Sequence, residues 1–163
     1  MILRRTSWLL AAVFSGSLAP PCLAQEPPDR RPSGAAAFGI EAAGGIAGSA
    51  LGFGTVALLT ADDACGDDLT CILGNAALAL SAATVGAALG TYASGRAFDT
   101  RPSGAGAIVG ALIGVAAGVG MEHLLREEVG LNMSDRASVM TLAVTQGALT
   151  ALASRAGAAL RDR

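Results

Sequence analysis

His123 is the only histidine in the chain and stands in Glu122-His123-Leu124-Leu125-Arg126-Glu127-Glu128, one helical turn before Glu127. An imidazole and a carboxylate four residues apart share a helix face and can exchange a proton or contribute to a metal site. This segment is, however, the charged end of an apolar stretch, where such residues ordinarily form a solvated helix terminus. The serines and threonines include no Gly-x-Ser-x-Gly elbow, and no Ser/His/Asp set assembles around one histidine. All 11 basic residues are arginine, so the Gly-rich stretches have no lysine with which to bind phosphate as a P-loop does. The arginines are scattered and form no basic stripe for nucleic acid. The sequence therefore predicts no enzyme, no cofactor, no metal site, no nucleic-acid partner and no small-molecule substrate.

Cysteine chemistry is more informative. Cys65 and Cys71 flank an acidic loop with Asp62, Asp63, Asp67 and Asp68 and no basic residue. In an oxidising compartment two cysteines so close in sequence are expected to form a disulfide, contributing roughly 2 kcal/mol because the loop is short. The acids lack the periodic spacing of an EF-hand. Among the remaining polar residues, Glu41 near the start of the first apolar stretch is expected at a polar boundary. Arg96, Asp99 and Arg101 form a short polar turn. Gln146 lies mid-helix, placed either to hydrogen-bond across a bundle or to face outward.

Residues 1–24 have the layout of a secretory signal peptide: a positive start at Arg4 and Arg5, an apolar stretch over 6–19, and Cys22-Leu23-Ala24 before Gln25. Ala19-Pro20-Pro21 ahead of Cys22 is a poor match to a lipoprotein signal. Residues 25–34 are Pro-rich and charged, as in an extended linker. The domain proper is expected over 35–163.

Of the 163 residues, 52% are hydrophobic and 15% charged, with 22 glycines; soluble domains carry about 25% charged residues. Apolar stretches fall at 35–61, 72–97, 103–125 and 135–160, each too long for a strand. Pro102-Ser103 and Ser134-Asp135 offer starts to the last two, and Gly95 and Gly130 offer stops. Ten-residue alternation with aromatic girdles, the mark of a membrane β-barrel, is absent. The fold class expected is all-α: four Gly/Ala-rich apolar helices forming two packed hairpins, embedded in a membrane.

Glycine costs a helix interior about 1 kcal/mol relative to alanine, and its spacing here gives the reason. Gly44, Gly48 and Gly52 lie four apart in the first helix, as do Ala82, Gly86, Gly90 and Ser94 in the second. Gly106, Gly110, Gly114 and Gly118 follow in the third, and Ala143, Gly147 and Ala151 in the fourth. Each run makes a shallow groove on one face that lets a neighbouring helix approach closely. In Gly44/Gly48/Gly52 and Gly106/Gly110/Gly114/Gly118 the chain resembles the glycine-zipper class of bacterial cell-envelope proteins. The resemblance covers these two helices and departs from the many lipoprotein members at Ala19-Pro20-Pro21. It implies a mode of packing and an envelope location, and no specific activity.

Uncharged runs over 42–61, 72–95 and 103–121 are long enough to cross a bilayer, with the fourth stretch the weakest candidate because of Thr141, Thr145, Gln146 and Thr150. If export placed Gln25 outside and the first helix then crossed an inner membrane, the disulfide loop would enter a reducing, positive-inside compartment. An outer membrane or the periplasm is therefore favoured, with lipid and a second copy of the chain as expected partners. The function expected is structural, a self-associating envelope protein. The alternatives are a pore formed by oligomerised helices and a soluble periplasmic module that covers a lipid or protein.

Overall fold

The computed structural model describes residues 32–60, 65, 68–127 and 135–163. The expected signal peptide, most of the 25–34 linker, Ser134 and Gly130 lie outside the described residues. The described residues fold into four helices, α1 (Gly34–Leu59), α2 (Leu69–Ala97), α3 (Gly104–Glu127) and α4 (Asp135–Arg161), with no strand among them.

Local chemistry sets the boundaries. The Ser33 side chain accepts from the Ala36 N–H and caps α1. Asp68 accepts from the Thr70 N–H at 2.9 Å, so α2 starts at Leu69, three residues before the expected Ile72. Ser103 Oγ accepts from the Gly106 N–H at 3.2 Å at the head of α3. Gly95 does not stop α2: it is buried inside the helix, and the turn follows Ala97. In that turn Asp99 and Arg101 both take the left-handed backbone conformation, at φ 52° and 56°. Non-glycine residues hold that conformation only where the surroundings over-determine it.

The glycines set the packing. α1 and α2 run antiparallel with their backbones in contact. A Cβ added to Gly44 would meet the Gly90 carbonyl oxygen at 2.5 Å, and one added to Gly48 would lie 2.6 Å from the Gly86 carbonyl carbon. Gly52 faces Ala82 in the same way. In the second hairpin the α3 glycines meet larger residues of α4: Gly106 faces Ser154, Gly110 faces Thr150, Gly114 faces Gln146 and Gly118 faces Leu142. The Ala143/Gly147/Ala151 seam of α4 packs on α1, where a Cβ at Gly147 would lie 2.5 Å from the Ile46 nitrogen. The reciprocal glycine is Gly45, which would carry its Cβ 3.0 Å from Gly147 Cα. α1 thus presents adjacent stripes to α2 and α4, and it makes no contact with α3.

Such close approach leaves little interior volume. The buried apolar side chains among the described residues are alanines, Leu142 and Pro102. The largest fully buried side chains are Gln146, Glu41, Thr91, Thr150, Ser49 and Ser154, all polar. Large apolar side chains point outward, including Leu51, Leu58, Leu89, Leu112 and Ile113.

Because the groups facing Gly48 are backbone, they cannot yield to a side chain. Gly48→Leu is expected to destabilise the chain by about 3 kcal/mol. Gly54→Leu, where nothing lies within 4 Å of an added Cβ, is expected to cost less than about 0.5 kcal/mol. Denaturant unfolding in detergent micelles measures both, and equal effects would remove the seam as the source of the cost.

Candidate functional site

Two polar clusters occupy the interior. The first is centred on Gln146 of α4, which is 1% exposed. Its Oε1 accepts from Ser49 Oγ of α1 at 2.6 Å, and its Nε2 donates to Thr84 Oγ1 of α2 and to the Ala111 carbonyl of α3, each at 3.3 Å. One amide therefore bonds to every other helix, and all the donors it carries are used. The backbone carbonyl of Gln146 accepts from Thr150 Oγ1 at 2.6 Å. The Thr84 hydroxyl in turn donates to the Leu80 carbonyl, so it takes up the Gln146 proton without losing its own bond.

The second cluster surrounds Glu41. About two turns into α1, Glu41 is fully buried and does not lie at the polar boundary expected from sequence. Burial follows from register: Glu41, Gly45 and Ser49 form the stripe of α1 that faces α4, and the glycine beside the carboxylate lets the two helices close over it. Thr100 Oγ1, in the α2–α3 turn, lies 2.5 Å from Glu41 Oε1 and 3.2 Å from the Gly95 carbonyl. Arg155 Nη1 of α4 lies 3.6 Å from the same carboxylate oxygen, with the guanidinium side chain 34% exposed. Glu41 Oε2 has no hydrogen-bond partner, nor do the buried Thr91 Oγ1 and Arg155 Nη1. A carboxylate buried with one oxygen unmet is costly. The hydroxyl of Thr100 has a single hydrogen and two acceptors in reach.

The residues singled out from sequence fall elsewhere. Cys65 and Cys71 are joined in a disulfide with Cα atoms 5.4 Å apart, and Asn75 Nδ2 donates to Cys65 Sγ. His123 and Glu127 face each other at 3.3 Å on the surface, 66% and 68% exposed, with no third group. No group of three His, Cys, Asp or Glu that could hold a metal occurs among the described residues. Gly44, Gly48, Gly52, Gly86 and Gly90 meet in the first hairpin, and Gly106, Gly110, Gly114 and Gly118 line α3 against α4. Gly147 faces α1. Sequence reasoning missed Thr91, Thr100, Arg155 and the central role of Gln146. For Arg155 the signal was there, since it is the one charge in α4 well inside both ends.

Removing one member of the Glu41–Arg155 pair strands the other. Arg155→Met is expected to cost roughly 2 kcal/mol, below the figure for a fully buried pair because the guanidinium is partly solvated. Glu41→Gln combined with Arg155→Met should be more stable than Arg155→Met alone. Unfolding of the four-member cycle tests this, and strictly additive changes would show that the two groups do not interact. No protein-family model, curated protein or solved structure matches the chain.

Proposed function

We propose that this chain is an integral membrane protein whose role is structural: a helical unit whose glycine seams close its own four helices on one another and whose outward apolar faces are left for lipid and for self-association. The observation that carries this reading is the reversal of polarity. Polar side chains fill the interior while Leu, Ile and Val cover the outside, an arrangement that water would penalise and hydrocarbon favours. All four helices are long and apolar enough to cross a membrane. Hydroxyls on their surfaces are returned to the backbone, as where Thr55 donates to the Leu51 carbonyl at 2.8 Å.

The antiparallel arrangement supports one orientation. The start of α1, the end of α2, the start of α3 and the end of α4 share one end of the bundle, which carries Arg96, Arg101, Arg155, Arg161 and Arg163 against Glu41, Asp99 and Asp162. The opposite end carries the disulfide, two arginines (Arg126 and Arg136) and the acids Asp68, Glu122, Glu127 and Asp135, and the intervening sequence adds Asp62, Asp63, Asp67 and Glu128. With the arginine end in the cytoplasm, both the positive-inside rule and the redox requirement of the disulfide are met. The objections raised from sequence to an inner membrane apply only to the reverse orientation, the one that a signal peptide cleaved before Gln25 would impose; the orientation proposed here holds only if Gln25 stays in the cytoplasm.

A second reading, a transport component, draws on Glu41, because ionisable groups inside membrane bundles mark ion and proton paths. If the bundle conducts protons, proteoliposomes should dissipate an imposed pH gradient and Glu41→Gln should abolish that flux; an intact gradient argues against transport.

The structural reading predicts that the chain stays with membranes after alkaline carbonate extraction; release into the aqueous phase would overturn it. In a Cys22→Ser background on intact cells, a membrane-impermeant maleimide should label Cys65 and Cys71 only after reduction. Labelling that requires lysis would reverse the orientation and leave the membrane reading standing.

A further inference from the structure

The arginine end carries a feature that neither the packing seams nor the Glu41 cluster uses. An open cleft of about 420 Å³ lies between the ends of α2 and α4 and the α2–α3 turn, lined by Tyr92, Arg96, Arg101, Gly104 and Arg161. Asp99 and Asp162 also border it. The three guanidiniums come from three separate segments, and none of them forms an ion pair among the described residues, with those two carboxylates or any other. Arg96 is held over the ring of Tyr92, with its Cζ 6.0 Å from the centroid. Arg101 is set by its left-handed backbone, at φ 56°. Gly104 opens α3, so the positive end of that helix dipole adds to the same field.

We propose that this cleft binds a phosphate-bearing anion, supplied in the membrane by the head group of an acidic phospholipid; the inference rests on the membrane reading above. Three considerations select this chemistry. Guanidinium forks match phosphate oxygens in pairs, and here three forks outnumber the two carboxylates. The volume falls within the range of small-ligand sites. The cleft also lies where the apolar helix surface ends, at the level of lipid head groups, and beside the chain's one tyrosine, a residue type that settles at that boundary. Basic recesses between helices on the cytoplasmic side suit acidic head groups for the same reason.

The full chain, purified in a non-ionic detergent, is titrated with phosphatidylglycerol, phosphatidylcholine and inorganic phosphate, and retained lipid is read by native mass spectrometry beside the thermal midpoint. Phosphatidylglycerol should be retained over phosphatidylcholine by roughly tenfold. Arg96→Gln with Arg101→Gln should erase that preference, and Arg136→Gln at the opposite end should leave it intact. Stabilisation by inorganic phosphate, lost in the same double variant, would keep the site and identify a soluble phosphate as its source. Equal retention of the two lipids with no response to phosphate, or a preference that survives the double variant, would overturn the proposal. A chain that enters micelles without any such preference refutes this site alone, whereas one that never enters them refutes the membrane reading.

Discussion

The backbone of α1 touches the backbone of α2 at Gly48 and Gly86, and the rest of the molecule is arranged around that contact. With a Cβ on either residue driven deep inside van der Waals contact with the opposing carbonyl, nothing larger than glycine fits. Helices that close cannot hold leucines between them, so the leucines and isoleucines stand outside. In water this would expose a large apolar surface. In hydrocarbon it costs nothing, and the attraction between helices then comes from dispersion across well-fitted backbones in place of the hydrophobic effect.

Dispersion between smooth grooves does not by itself choose a register, since one seam of small residues can slide by a turn along another. The polar interior supplies the missing specificity. Gln146 bonds to α1, α2 and α3 from one position on α4, and a slip of one turn would break all three bonds together. Each such bond within a membrane contributes only about 0.6–2 kcal/mol, so its main effect is to penalise the alternatives. Glu41 acts at the end of the same stripe, tying α1 to α4 and to the turn at Thr100. A buried ionic pair adds little net stability and is costly to break, which suits a registry device. The orphaned Oε2 of Glu41 is the exception, because registry alone would not require it.

Much of this was legible beforehand, and the unread part follows a pattern. The helices and the four-residue spacing of their small residues are local properties, and they appear in the sequence as plainly as in the structure. The acidic Cys65–Cys71 loop was equally local. Gly45 was passed over because it sits beside Gly44 and outside the Gly44/Gly48/Gly52 period, so only a second helix packing on an adjacent face gives it a role. Glu41 was misjudged because nearness to a helix start suggests solvent, whereas its burial comes from the packing of α4, which brings Arg155 from more than a hundred positions away. Thr100 acquires meaning only when the turn between Asp99 and Arg101 is seen to hold it against the carboxylate. Long-range pairs of this kind leave no periodic trace in a single chain.

The two hairpins use glycine differently, and the difference bears on how the bundle is put together. In the first, glycine faces glycine or another small residue on both helices, so the contact is symmetric and carries little sequence information. In the second, the glycines of α3 form a one-sided groove that receives Leu142, Gln146, Thr150 and Ser154 of α4. Leu142 and Gln146 reach into that groove with side chains of unequal size, while Gly106 and Gly110 meet α4 through its backbone and the Ala153 methyl, so the two ends of the groove are not interchangeable. α4 is therefore the informative helix, with one face set into α3 and the next placing Gly147 against Gly45 of α1. α1 is the helix with two small-residue faces and no contact to α3. The first hairpin is joined through its own seam of small residues, and its register is fixed by the bonds that Gln146 of α4 makes to Ser49 and Thr84. The stability of the pair and its specificity thus reside in different halves of the chain, and the polar interior is where they are joined.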